Sequence, residues 1–183
     1  MHGPTSPGWL LVALCAATGA YCLLRMRSRL EEQRRAAGGE ALMGFAMAVM
    51  ALPATVVEPP RWAWIAYAVV FGTVAVRTLA TARGSAHHLH HLVGAFAMAY
   101  MAAAMAAGGR HGHGGGTAPV TGVLLAYFAG YVLWSGVRLV PVAAPAAGGG
   151  VGGRAVGWGD RPELALACRL AMAMAMLAML LAV

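Results

Sequence analysis

The chain carries methionines that recur in three similar segments, and these are its most distinctive residues with a capacity for chemistry. The segments read EALMGFAMAVM (residues 40–50), HLVGAFAMAYM (residues 91–101) and RLAMAMAMLAM (residues 169–179). Methionine occupies the eighth and eleventh positions of all three: Met47 and Met50, Met98 and Met101, Met176 and Met179. On an α-helix the fourth, eighth and eleventh positions fall within an arc of roughly 60°, so each segment predicts a narrow methionine stripe on one helix face.

These stripes lead to a soft-metal hypothesis. Thioether sulfur suits Cu(I), and imidazole suits copper among several other metals. His87 and His91 are spaced i, i+4 at the start of the second segment, which permits both to bind one ion. If the three helices converge, the six methionines and two histidines face one axis, and the sequence then predicts binding or transfer of Cu(I). No catalytic residue and no organic cofactor is predicted.

The same methionines fit two other kinds of function. Methionine fills irregular gaps between alanine-rich helices, so the chain can equally be a structural or interaction protein whose stripes only pack. A small-molecule transporter with an apolar cavity between helices is the third alternative. An enzyme is not indicated, because the sequence has no P-loop, GxGxxG, HExxH or GxSxG motif.

The elements that position these residues are predicted to be membrane-spanning helices. Of the 183 residues, 60% are hydrophobic and 10% are charged, and the mean hydropathy is +0.69. A helix of about 20 apolar residues crosses a hydrocarbon core of roughly 30 Å. We therefore expect an all-α, polytopic membrane helix bundle of six transmembrane helices, forming a single transmembrane domain over residues 1–183. The predicted spans are residues 8–26, 41–57, 62–82, 87–107, 119–140 and 164–183.

Two parts of this arrangement depart from a regular bundle. The second predicted span is short and contains Pro53, which ends or kinks a soluble helix but is accommodated in many membrane helices. The connection of residues 141–162 is rich in glycine, alanine and proline, and it predicts a flexible cytoplasmic linker without a core of its own.

The charges predict how the chain is oriented in the membrane. Thirteen arginines stand against six acids, for a formal charge of +7. Eleven of the arginines fall on one side of the predicted topology, and only Arg61 and Arg110 fall on the other. This asymmetry indicates a lipid bilayer rather than a nucleic acid as the partner, and it places both termini outside. The absence of lysine beside so much arginine, alanine and glycine is typical of a GC-rich bacterial genome, so the expected location is the bacterial inner membrane.

The remaining polar and sulfur residues are given structural roles. The segments begin with Glu40, His91 and Arg169; Glu40, like Glu163, is predicted at the cytoplasmic start of a helix, where the helix dipole favours an acid. The three cysteines are Cys15, Cys22 and Cys168, without a CxxC pair. Cys15 and Cys22 share a helix face but lie about 10 Å apart along it, too far for a disulfide, so all three are predicted to be buried small residues.

The repeated FAMAxM element, the histidine-rich start in HHLHHLVGAFAMAYM and the last segment CRLAMAMAMLAML resemble a family of uncharacterised bacterial membrane proteins, classed as a domain of unknown function. The resemblance covers essentially the whole chain. It implies about six spans with histidine and methionine at the starts of alternate helices, and histidine often where this chain has Glu40 and Arg169. The resemblance implies no activity, and in this chain it leaves His91 as the one imidazole at those three positions.

Overall fold

The computed structural model describes residues 6–27, 31–53, 56–81, 86–108, 117–139 and 162–182. Within these ranges the chain forms six α-helices and no strand, which confirms the all-α prediction. The helices are α1 Ser6–Arg25, α2 Glu31–Met50, α3 Arg61–Thr81, α4 Ala86–Ala106, α5 Ala118–Leu139 and α6 Pro162–Leu181. The predicted linker of residues 141–162 lies outside the described part of the chain, apart from Pro162 at the start of α6.

Five of these helices are long and apolar enough to cross a membrane: α1, α3, α4, α5 and α6. Their bounds agree with the predicted spans to within about two residues, the usual uncertainty of helix ends. Large apolar side chains are exposed on their outer faces, among them Leu10, Val69, Val76, Leu133 and Val137. Contact with lipid tails accounts for apolar exposure of this kind, so the helices indicate a membrane protein.

Helix α2 differs from the prediction. It begins at Glu31 rather than at residue 41, and it ends at Met50 rather than at residue 57. The early start follows from helix-favouring residues with acids in the first turn, and from an exposed i, i+4 ion pair of 2.8 Å between Glu31 and Arg35. The early end follows from Pro53, because proline disfavours helical backbone in the residue before it.

Helix α2 is also the helix that lacks the composition of a membrane span. Its last charged residue is Glu40, and residues 41–50 beyond it rise about 15 Å, half of a typical hydrocarbon core. The crossing of the membrane by α2, and with it the six-span topology, stays a prediction.

The chain divides into two compact units. The first comprises Met1–Leu52 and Ala129–Ala175, and in it α1 packs against α2. The second comprises Pro53–Phe128 and Met176–Val183, and in it α3 packs against α4. The sequence predicts a single transmembrane domain over the whole chain, and this stays a prediction.

In the first unit, α1 and α2 approach closely at two glycines. A Cβ atom added to Gly44 would lie 2.9 Å from the Cα of Gly19 and 3.2 Å from the carbonyl oxygen of Cys15. Small residues of this kind allow the backbones of membrane helices to pack directly against each other. The contact sets the spacing of α1 and α2 beside the site described below.

Replacing Gly44 with alanine should therefore destabilise the protein. The added methyl meets backbone atoms, which cannot rotate away, so the helices must separate at a cost of about 1–3 kcal/mol. Gly39→Ala is the matched control, because a Cβ at Gly39 of the same helix would meet nothing within 4 Å. That variant gains helix propensity only, up to about 1 kcal/mol. The measurement is the free energy of unfolding in detergent; equal stability of the two variants would contradict the close contact.

In the second unit, polar side chains join α4 to its neighbours. The Tyr100 hydroxyl lies 2.7 Å from the Thr121 hydroxyl and donates to the carbonyl of Thr117 at 3.3 Å. The Arg61 Nε at the start of α3 donates to the carbonyl of Ala106 in the last turn of α4 at 3.0 Å, where helix carbonyls lack intrahelical partners. These bonds fix the amino-terminal half of α5 and the start of α3 beside α4.

Candidate functional site

The methionines of the predicted stripes are buried on all three helices. Met47 and Met98 are 0% exposed and Met176 is 1% exposed, and Met50, Met101 and Met179 are buried as well. Met174 shows that burial follows the helix face rather than the residue type. It lies in the same α6 run, off the stripe, and is 44% exposed. Each stripe therefore faces the protein interior and not the lipid.

The stripes are distributed over the two compact units. Met47 and Met50 belong to the first unit, whereas Met98, Met101, Met176 and Met179 all belong to the second. The convergence of all three stripes on one centre stays a prediction.

The histidines at the start of α4 are only partly described. His91 is half-buried. The His90 Nδ1 lies 3.4 Å from the Tyr127 hydroxyl, and its ring packs against Tyr127 and Phe128 of α5. The side chain of His87 lies outside the described part of the molecule, so the pairing of His87 with His91 stays a prediction. Among the described residues, no group of three or more His, Cys, Asp and Glu is arranged to hold a metal ion.

A buried cluster of charges lies in the first unit and was not predicted. The Glu40 carboxylate is 0% exposed. Its Oε2 accepts a hydrogen bond from Arg25 Nη1 at 2.7 Å, and its Oε1 accepts one from Arg169 Nε at 2.8 Å. We call Arg25, Glu40 and Arg169 the ion cluster. The prediction that Glu40 caps a helix start is wrong, because α2 extends back to Glu31 and leaves Glu40 in the middle of the helix.

The ion cluster joins three helices by charge-assisted hydrogen bonds. Arg25 is the last residue of α1, where the helix dipole favours a cation. Arg169 lies in the second turn of α6. A carboxylate without partners would be strongly disfavoured in the interior, and two guanidinium groups compensate its charge. The three charges sum to +1.

Two thiols adjoin the ion cluster. Cys22 lies one turn before Arg25 and is 0% exposed. Its thiol donates to Glu40 Oε2 at 3.7 Å. Cys168 is the residue before Arg169 of the ion cluster. Both cysteines are free thiols. The burial predicted for Cys15 and Cys22 is confirmed, whereas Cys168, which was also predicted to be buried, is only half-buried.

The sequence contained a partial signal for this cluster. Glu40 and Arg169 both occupy the first position of the aligned segments and carry opposite charges, which is the pattern of a pair on adjacent parallel helices. Cys22 and Arg25 are spaced i, i+3 and so share a face of α1.

Comparison with known proteins identifies a family without a described activity. A family model described as "Domain of unknown function (DUF5134)" matches residues 32–183. The matched range includes Glu40, Cys168 and Arg169, and it does not include Cys22 and Arg25 of α1. No curated protein and no solved structure gives a significant match to the chain.

Proposed function

The chain belongs to the DUF5134 family of unknown function, and we propose that it is an integral protein of the bacterial inner membrane that binds Cu(I) through buried methionine thioethers. The selective burial of the methionine stripes carries the proposal. Met98, Met101, Met176 and Met179 are all buried within one compact unit, whereas Met174 on another face of α6 is exposed. These four are the proposed thioether ligands.

The chemistry of the ligands favours this ion. A thioether is neutral and soft, so it binds Cu(I) in preference to hard cations and needs no deprotonation to do so. A cation in an apolar interior must have its lost hydration replaced, and several sulfur atoms bound to one ion would supply that coordination. Met47, Met50, His87 and His91 are further candidate ligands that the sequence predicts.

The ion cluster supports the proposed topology. Its bonds bring the carboxyl end of α1, the middle of α2 and the amino-terminal part of α6 to one level. Because Arg25 contacts Glu40 and Gly19 lies against Gly44, α2 runs antiparallel to α1. By the positive-inside rule, the arginines support a cytoplasmic position for this level. Because its partners neutralise Glu40, the carboxylate is no obstacle to α2 entering the membrane. With six spans, both termini lie outside.

Measurement of Cu(I) affinity in purified protein tests the proposal. The titration is done against a colorimetric Cu(I) chelator under reducing conditions at about pH 5.5, where thiols must still lose protons to bind and thioethers need not. We expect about one tightly bound Cu(I) per chain. Replacing all four methionines (Met98, Met101, Met176 and Met179) with leucine should weaken binding by more than about tenfold.

Met174→Leu is the matched control and should leave the affinity unchanged. Leucine has nearly the volume of methionine, so the fold should survive the four replacements, which size-exclusion chromatography and thermal unfolding would verify. Equal Cu(I) affinity of the fourfold leucine variant and the native protein would refute the thioether site.

An interaction protein is the second candidate. The charged first turns of α2 favour it, since Glu31, Arg34 and Arg35 are exposed there. In that function the methionines only fill the space between helices. The fourfold leucine variant would then match the native protein in every respect.

A further inference from the structure

We propose that the ion cluster binds the phosphate of an anionic phospholipid, and that Arg169 is the residue that contacts it. The proposal rests on the proposed function for the membrane topology alone, since it makes no use of copper or of the methionines. All three members of the cluster lie in the first compact unit, on α1, α2 and α6.

The ion cluster carries an excess of positive charge. Arg25 and Arg169 both pair with Glu40, and among the described residues no second acid pairs with either arginine. The carboxylate compensates one guanidinium charge, and one positive charge is left over. Charge is costly in a medium of low polarity, where an anion in contact also interacts with it far more strongly than in water. The anion that would make the cluster neutral carries one negative charge, as a phosphodiester does.

Arg169 has donors to spare for such an anion. Its Nε donates to Glu40 Oε1 at 2.8 Å, and within the described part of the chain its side chain makes no other hydrogen bond. The N–H groups of its two terminal nitrogens therefore remain for a second acceptor. Their planar, forked arrangement matches two oxygens of a phosphate. The Arg169 side chain is 26% exposed and that of Glu40 is fully buried, so a ligand can reach the cluster through Arg169.

The position of Arg169 along α6 favours a lipid as the source of the phosphate. Arg169 lies within the apolar stretch Leu164–Leu181, roughly 7–8 Å along the helix from its first residue. A long arginine side chain at this depth reaches towards the headgroups of the bilayer. Basic pockets between membrane helices on the cytoplasmic side bind anionic lipid headgroups in the same way.

Apolar side chains beside Arg25 favour the same ligand. Leu23 and Leu24 of α1 are 48% and 56% exposed, next to the arginine in the chain. A phospholipid presents acyl chains beside its phosphate, and these leucines can contact them. A free phosphate ion would gain nothing from this apolar surface.

Lipid binding to the purified native protein tests the proposal. Native mass spectrometry in a neutral detergent measures the affinities for phosphatidylglycerol and for phosphatidylethanolamine with the same acyl chains. Both lipids contain a phosphodiester, but the ammonium group of phosphatidylethanolamine cancels its charge. We expect phosphatidylglycerol to bind about tenfold more tightly or better, because the cluster lacks one negative charge. Equal affinities would overturn the proposal, and so would displacement of phosphatidylglycerol by an equal concentration of inorganic phosphate.

Replacing Arg169 with methionine locates the site. This variant removes the excess charge and the forked donor, while Arg25 still pairs with Glu40. It should bind phosphatidylglycerol about tenfold more weakly or worse. Arg138→Met is the matched control, because Arg138 is exposed in the same unit and lies over the Trp134 ring, 3.9 Å from its centroid. The control should keep the native affinity, and equal losses in the two variants would overturn the site.

Two further variants separate lipid recognition from folding and from copper. Arg169→Lys keeps the charge but lacks the fork, so it should keep the native thermal stability more closely than Arg169→Met and still bind phosphatidylglycerol more weakly than the native protein. Native affinity in the lysine variant would overturn the forked contact. The fourfold leucine variant of the methionines should bind phosphatidylglycerol normally. Loss of Cu(I) binding alone therefore leaves this proposal standing, and failure of lipid binding alone leaves the proposed function standing.

Discussion

Replacing Glu40 with glutamine is expected to destabilise the protein by about 3–5 kcal/mol, the usual cost of removing one partner from a buried ion pair. The amide keeps the size of the side chain but loses its charge. Arg25, with a side chain only 9% exposed, and Arg169 then remain as neighbouring cations in the interior without their carboxylate. The destabilisation arises from this uncompensated charge more than from the lost hydrogen bonds.

The free energy of unfolding in detergent, measured with a chemical denaturant, checks this prediction. Glu31→Gln is the matched control, because it removes an acid from the same helix whose ion pair with Arg35 is exposed to solvent. Exposed pairs contribute about 0–1 kcal/mol, so this variant should remain close to the native protein. Replacing Arg25 and Arg169 with methionine in the Glu40→Met background should recover stability, since no buried charge is then left over. A loss at Glu40 no larger than at Glu31 would show that the ion cluster is not needed for stability.

Replacing Met98 with alanine is expected to cost about 2–5 kcal/mol, because truncation of a fully buried methionine leaves a cavity. Met98 is 0% exposed, and its buried neighbours on α4 include Ala95, Ala97 and Ala102, whose short side chains cannot fill the space. Met98→Leu conserves volume and should cost less than about 1.5 kcal/mol.

Thermal and denaturant unfolding, measured together with Cu(I) affinity, separates packing from metal binding at this one position. Met174→Ala is the control, because that side chain is 44% exposed and its loss should change stability by no more than about 0.5 kcal/mol. If Met98 only fills space, Met98→Leu should match the native protein in both stability and Cu(I) affinity. If Met98 binds Cu(I), Met98→Leu should keep the stability and lose Cu(I) affinity. A Met98→Ala variant as stable as Met174→Ala would place Met98 outside the packed interior.

The methionine stripes show how far helical periodicity reaches. The spacing of methionine in α2, α4 and α6 was enough to predict that these side chains share one face of each helix, because the period of an α-helix assigns residues three and four apart to one face. The structure shows that this face is buried. The off-stripe position of Met174 follows from the same rule. Periodicity assigns a face to each helix separately, and it contains no information on which helix that face meets.

Helix α2 shows where composition misleads. The charged residues at its start resemble a cytoplasmic loop, yet they are residues that favour helices, and an ion pair between Glu31 and Arg35 supports them. Glu40 resembles a helix cap only if the helix begins beside it. Its burial depends on Arg25 and Arg169, and Arg169 is 129 positions away in the chain.

The sequence by itself determined the class of the protein, the bounds of α1, α3, α4, α5 and α6, and the face that the methionines share on each helix. These features depend on residues within one or two helical turns of each other and on the apolar length needed to cross a membrane. Only the tertiary structure decided the ion cluster of Arg25, Glu40 and Arg169, the hydrogen bond from the Cys22 thiol to Glu40, and the close approach of Gly19 to Gly44. Those contacts join helices far apart in the chain, and they are set by the packing of whole helix faces, which no local pattern encodes.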